Sequence, residues 1–199
     1  MFIKRFMLLL ATAWLTETTQ AAGNPEAGRE KAALCAGCHG EDGHSQVPLF
    51  PKLAGQPARY LEKQLHDFKA QRRVEPTMYA MAEPLSDEDI QDLAAFYAGQ
   101  SPKSENGTAP THGGGLYKAG RPATGVPACS GCHGPQGHGN PSAAIPALGG
   151  QHAAYLEKTL GDYRSGERAN DPNSVMRLVA KTLSDDDLGA LADYLSTLK

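Results

Sequence analysis

Two copies of one pentapeptide constrain this chain more than any other feature: Cys35-Ala36-Gly37-Cys38-His39 and Cys129-Ser130-Gly131-Cys132-His133. A C-x-x-C-H run is the attachment signature of a c-type haem. Two thiols three positions apart can form thioethers with both vinyl groups of one porphyrin. The histidine that follows is then held under the ring, where its imidazole can ligate the iron. C-x-x-C also serves zinc sites and dithiol redox centres. Here the two runs use every cysteine in the sequence and lie 90 residues apart, against about 15–20 for a zinc ribbon. No βαβ pattern of a thioredoxin-like centre surrounds them. The expected cofactors are therefore two covalently bound haem c groups, attached at Cys35, Cys38, Cys129 and Cys132, with His39 and His133 on the irons.

Residues 1–21 read as a secretory signal peptide. Lys4 and Arg5 form a basic start, Phe6 to Leu15 an apolar run, and Thr19-Gln20-Ala21 a small-x-small cleavage site. That apolar run is short against the ~20 residues of a membrane span, and no later stretch comes close, so the mature chain is expected to have no transmembrane span. An export signal with four cysteines also suggests disulfides, but the trailing histidine in both copies favours haem. The implied destination, in a bacterium, is the periplasm. Residues 22–105 carry a net charge of −4 and residues 106–199 a net charge of zero. No basic stripe exists, which argues against nucleic acid as a partner; the acidic first half could orient an encounter with a basic protein.

The chain is one unit written twice. Lys52-Leu53-Ala54-Gly55-Gln56 through Tyr60-Leu61-Glu62-Lys63 returns as Ala147-Leu148-Gly149-Gly150-Gln151 through Tyr155-Leu156-Glu157-Lys158, at an offset of 95 where the cysteines repeat at 94. In the first copy Asn24 can cap a helix opened by Pro25, and Pro57 opens a second helix carrying Tyr60, Leu61, Leu65 and Phe68 on one face. After a break at Pro76 and Pro84, Ser86 and Asp89 resemble a capping box for a third. The second and third helices return in the second copy, whereas its first, near His112 to Ala119, holds Gly113-Gly114-Gly115 and is expected to be weak or short. No period-2 run appears, so the fold class is all-α. The expected plan is a signal at 1–21, domains at 22–98 and 112–199, and a linker at 99–111.

The sixth ligand of each iron decides the chemistry, since a thioether closes the site and suits electron transfer. Met176 lies seven residues before Leu183-Ser184, as Met78 lies seven before Leu85-Ser86. Met81 aligns instead with Val179. Met78 and Met176 are therefore the expected sixth ligands, with Met81 in a pocket wall. A backbone carbonyl at Pro51 and at Pro146 could accept from the distal N–H of each imidazole. His44 and His138 read as exposed loop residues, and His66, His112 and His152 as non-ligands. The acidic runs at Ser86–Asp89 and Ser184–Asp187 are explained by helix N-termini.

The duplicated order of helix, C-x-x-C-H, Phe50-Pro51-Lys52-Leu53-Ala54-Gly55-Gln56 or its copy, Tyr-Leu helix, methionine and Leu-Ser-Asp helix resembles the di-haem cytochrome c4 family over essentially the whole mature chain. The resemblance implies two tandem class I cytochrome c domains, axial pairs His39/Met78 and His133/Met176, and haems facing each other across a domain interface. It also implies a periplasmic electron carrier, not itself an enzyme, soluble or loosely membrane-associated. Such a carrier serves redox proteins of the respiratory chain, with a terminal oxidase as acceptor. Two other functions compete: the cytochrome subunit of a flavin-linked dehydrogenase of the sulfide dehydrogenase type, and a di-haem peroxidase.

Overall fold

The structure is a computed structural model that describes residues 23–104 and 111–198. The expected signal peptide and the middle of the expected linker lie outside the described residues. Every regular element among the described residues is helical, apart from two isolated bridges, Arg121 to Val126 and Asn140 to Ile145.

In the first half, α1 (Pro25–Lys31) starts at an Asn24 cap whose Oδ1 accepts from the backbone of Glu26 and Ala27, with Pro25 at the first helical position. A 3-10 turn, Ala32–Leu34, leads to α2 (Ala36–His39), which carries the first motif. Then follow α3 (Ala58–Lys69), α4 (Pro76–Ala82) and α5 (Asp87–Ala98). The second half repeats the order as α6 (Thr111–Ala119), α7 (Ser130–His133), α8 (Ala153–Ser165), α9 (Val175–Ala180) and α10 (Asp185–Ser196). Both capping boxes are formed: Ser86 with Asp89, and Ser184 with Asp187. Each acidic cap also pairs with a cation from the start of its own half, Asp89 with Lys31 at 2.9 Å and Asp187 with Arg121.

Two elements differ from the sequence expectation. The segment after Pro76 is not a break but the start of α4, because proline is tolerated at the first helical position and the Glu75 carboxylate caps the Met78 N–H at 2.6 Å. Its counterpart is α9. The glycine-rich opening of the second half, expected to be weak or short, is a nine-residue helix, two residues longer than α1. Tertiary packing overrides its low propensity. A β-carbon on Gly113 would sit 1.9 Å from the Ala190 carbonyl oxygen, and one on Gly114 would sit 2.8 Å from the Tyr194 ring. Gly28 meets Asp92 in the same way, at 2.0 Å. In each half the first and last helices therefore cross with backbone against backbone.

Each crossing roofs a small core. Leu61, Leu93, Ala94, Phe96 and Tyr97 form the first, and Leu116, Tyr117, Leu156, Leu188, Leu191 and Leu195 the second. Replacing Gly113 by Ala is expected to destabilise the haem-loaded protein by about 1–3 kcal/mol through overpacking. Replacing Gly115, exposed and with nothing within 4 Å of an added β-carbon, should stabilise it by up to about 1 kcal/mol through helix propensity. Thermal denaturation of the two variants should move the midpoint in opposite directions.

Candidate haem sites

Each C-x-x-C-H run is a single helical turn, so its two thiols stand one turn apart. Cys35 and Cys129 are half-buried, Cys38 and Cys132 exposed, and all four are free thiols. Burial pushes the Cys35 and Cys129 thiols up, which keeps them protonated and unlike an activated nucleophile. Among the described residues no three His, Cys, Asp or Glu side chains cluster as a metal site.

The histidines end their turns buried, 8% and 7% exposed. Gly40 and Gly134, at φ of 80° and 82°, then turn the chain away, a conformation L side chains rarely adopt. The prolines singled out in the sequence face the rings. His39 Nδ1 lies 2.8 Å from the Pro51 carbonyl oxygen and His133 Nδ1 lies 3.0 Å from that of Pro146. A carbonyl can only accept, so Nδ1 carries the proton in both rings and Nε2 keeps its lone pair. Burial holds both imidazoles below their usual pKa, against the opposing pull of the carbonyls. A neutral ring of fixed tautomer beside two thiols on one turn is the donor set a c-type haem requires.

The methionines lie on the two short helices. Met78 and Met176 are half-buried, and Met81 is 46% exposed. The approach to Met176 is heavily tied. Asp171, itself buried, accepts from the Arg177 backbone N–H at 3.0 Å and from its Nε at 2.7 Å, and Arg177 also donates to Ser174 Oγ at 2.8 Å. Asn173 and Ser174, between them, both have positive φ, 55° and 59°.

The two halves meet along a seam with an internal two-fold relation, built from residues at the repeat offset. Gln56 donates to the Ala147 carbonyl and accepts from the Ala147 N–H; Gln151 does the same to Lys52. Arg73 donates to Tyr155 Oη at 3.0 Å and Arg168 to Tyr60 Oη at 3.2 Å, and both guanidinium groups share Gln64 Oε1. Each arginine also lies over a ring of its own half, Arg73 on Phe68 and Arg168 on Tyr163. Burial would raise the Tyr155 phenol, but the Arg73 and Arg168 charges outweigh it and bring it down to about 8. His152 Nε2 donates to the Ser45 carbonyl across the seam. His138 is exposed as expected, but the His44 side chain is only 10% exposed, because it sits where the halves close on each other.

Sequence reasoning missed Gln56, Gln151, Arg73 and Arg168 as a set. Their signal was present: each pair is separated by 95 residues, the offset of the repeat around them.

The cytochrome c family model matches residues 25–99 and 112–199. The chain is 50% identical to cytochrome c4 of Thiocapsa roseopersicina over 92% of this chain and 99% of that protein. The crystal structure of reduced recombinant cytochrome c4 from Pseudomonas stutzeri superposes with a TM-score of 0.85 at 46% identity, covering 89% of this chain and 100% of that one. The chain belongs to the di-haem cytochrome c4 family. Its cofactors are two covalently bound haem c groups, and it is an electron-transfer protein, not a converter of substrates. A further relative is named a thiosulfate dehydrogenase electron acceptor, from Stutzerimonas stutzeri, 38% identical over 90% of this chain and 83% of that protein.

Arg168 is 5% exposed; it donates across the seam to Tyr60 and Gln64 and, within its own half, to Asn170. Arg168→Ala removes the buried cation and its bonds to Tyr60 Oη and Asn170 Oδ1, leaving Gln64 to Arg73, and should cost about 1–3 kcal/mol, read as a lowered denaturant midpoint of the haem-loaded protein.

Proposed function

We propose that the protein is a periplasmic carrier that passes single electrons between redox proteins of the respiratory chain and delivers them to a membrane terminal oxidase. In this reading Cys35 and Cys38 hold one haem and Cys129 and Cys132 the other, with axial pairs His39/Met78 and His133/Met176. Residues 1–21 are removed on export, and domains at 22–98 and 112–199 are joined by 99–111. The observation that carries the site assignment is the matched pair of buried histidines, each with Nδ1 tied to a proline carbonyl and Nε2 left for a metal. The basic, apolar and small-residue order of the first 21 residues supports export, and among the described residues no helix is long and apolar enough to cross a membrane.

When bound, each haem supplies a reversible one-electron couple at its iron. The chain's own work is to hold the imidazole in one tautomer, to keep bulk water from the ring and to bring the second ligand on a short, capped helix. Glu75 sets the backbone of Met78 on one side, and Asp171 sets that of Arg177 beside Met176 on the other. Irons held by a histidine nitrogen and a methionine sulfur would need little rearrangement for a one-electron change. That would suit a carrier and would leave no position for peroxide.

The likeness to a thiosulfate dehydrogenase electron acceptor favours a second reading, in which the donor is a sulfur-oxidising dehydrogenase. Mixing the oxidised protein with such an enzyme and its substrate, and following haem reduction, separates the two donors.

The reduced, haem-loaded protein is expected to leave its visible spectrum unchanged under CO. Met78→Ala and Met176→Ala should each admit CO at half of the haem. A CO shift in the native protein, or none in either variant, would remove the ligand assignment.

A further inference from the structure

The carbonyl that receives each imidazole proton belongs to a peptide group whose other end is held from across the seam. The Pro51 carbonyl and the Lys52 N–H are two ends of one peptide. His39 Nδ1 lies 2.8 Å from the oxygen, and the N–H donates to Gln151 Oε1 at 2.9 Å. Gln151 closes the grip by donating from Nε2 to the Lys52 carbonyl at 2.9 Å. The second half repeats this with the partners exchanged. His133 Nδ1 lies 3.0 Å from the Pro146 oxygen, the Ala147 N–H donates to Gln56 Oε1 at 3.1 Å, and Gln56 Nε2 donates to the Ala147 carbonyl at 2.8 Å. Both glutamines are buried, 7% and 5% exposed.

We propose that Gln151 is a positioning residue for His39 and Gln56 for His133, so that each half of the protein sets the axial imidazole of the other. The inference rests on the reading of the two histidines as iron ligands. Two effects act together. The two-point grip fixes the rotation of the peptide plane and so aims its carbonyl at the ring. The chain from glutamine carbonyl through peptide to imidazole also polarises in one direction, which strengthens each link. A stronger Nδ1–H bond makes the imidazole a more basic ligand and favours the ferric state. Loss of a glutamine should therefore raise the potential of the haem in the opposite half and leave its own unchanged. Lys52 adds a second tie, Nζ to the Gly150 carbonyl at 2.7 Å, which Ala147 has no side chain to match. The crossed effect on His133 should therefore be the larger.

The experiment uses the full-length, haem-loaded protein with Gln56→Ala and Gln151→Ala. Gln56→Met and Gln151→Met serve as variants that keep side-chain volume should the alanine forms load haem poorly. Potentials come from redox titration, and ring N–H exchange with solvent from proton NMR. Signals are assigned to each half with Met78→Ala and Met176→Ala. Gln56→Ala should raise the potential of the His133 haem and speed exchange of the His133 ring proton about tenfold, with the His39 haem unmoved; Gln151→Ala should do the reverse. Arg59→Ala is the control, since it removes another bond of the seam, to the Ser142 carbonyl at 3.0 Å, without touching either peptide. A shift in the same half as the substitution, equal shifts in both haems, no shift, or a response matched by Arg59→Ala would overturn the proposal. His39→Ala and His133→Ala test the ligand reading separately. If either keeps two low-spin haems, that reading falls and takes the inference with it; if each loses one, the glutamine result stands alone.

Discussion

Backbone pressed against backbone, where the first and last helices of each half cross, is the contact on which the rest of the structure depends. Gly28 against Asp92 and Gly113 against Ala190 leave no room for even a methyl group. That closeness ties the two ends of each half together, with α3 or α8 packed beneath α5 or α10. The C-x-x-C-H turn hangs from this frame, since it follows the first helix directly in one half and after a short excursion through Arg121–Val126 in the other. The acidic caps at Asp89 and Asp187 then bind cations from the opening segments and hold the crossing from its polar side.

Duplication supplies the second organising relation. Because both halves keep the same short run ending in Gly-Gln, each half offers the other a side-chain amide and a peptide at matching places. The result is a two-fold seam within one chain, in which Gln56 and Gln151 exchange equivalent bonds, as do Arg73 and Arg168. Interfaces of this self-complementary kind ordinarily join identical subunits. Here both halves belong to one chain, which makes the encounter intramolecular. The seam is polar, so its bonds carry register more than raw stability.

The halves are alike in plan and unlike in detail. Met78 sits on a helix begun by an exposed glutamate, whereas Met176 follows two residues in left-handed backbone conformation, in a turn tied by the Asp171–Arg177 pair. Such conformations persist only where the surroundings over-determine them. Charge differs too, with the acidic excess confined to the first half. The two halves thus differ in how the backbone beside each methionine is tied and in their net charge.

Much of this was readable along the chain. The paired pentapeptides announced two haems, the repeat placed matching methionines and prolines, and the caps at Asn24, Ser86 and Ser184 set helix starts to the residue, because these are local patterns with local physics. What escaped was non-local. Propensity read Gly113-Gly114-Gly115 as a weak helix, and only the approach of α10 shows why small residues are needed at Gly113 and Gly114. Pro76 looked like a break until Glu75 was seen capping the turn that follows. His44 looked exposed because nothing in its own loop predicts that another half will cover it. The sequence by itself determined the cofactor class, the all-helical duplicated plan and the histidines with their proline acceptors, since each depends on short motifs or on the repeat that copies them. Only the tertiary structure decided that the glutamines grip the opposite half, because a contact spanning 91 to 99 residues leaves no trace in local spacing beyond the repeat that placed both partners.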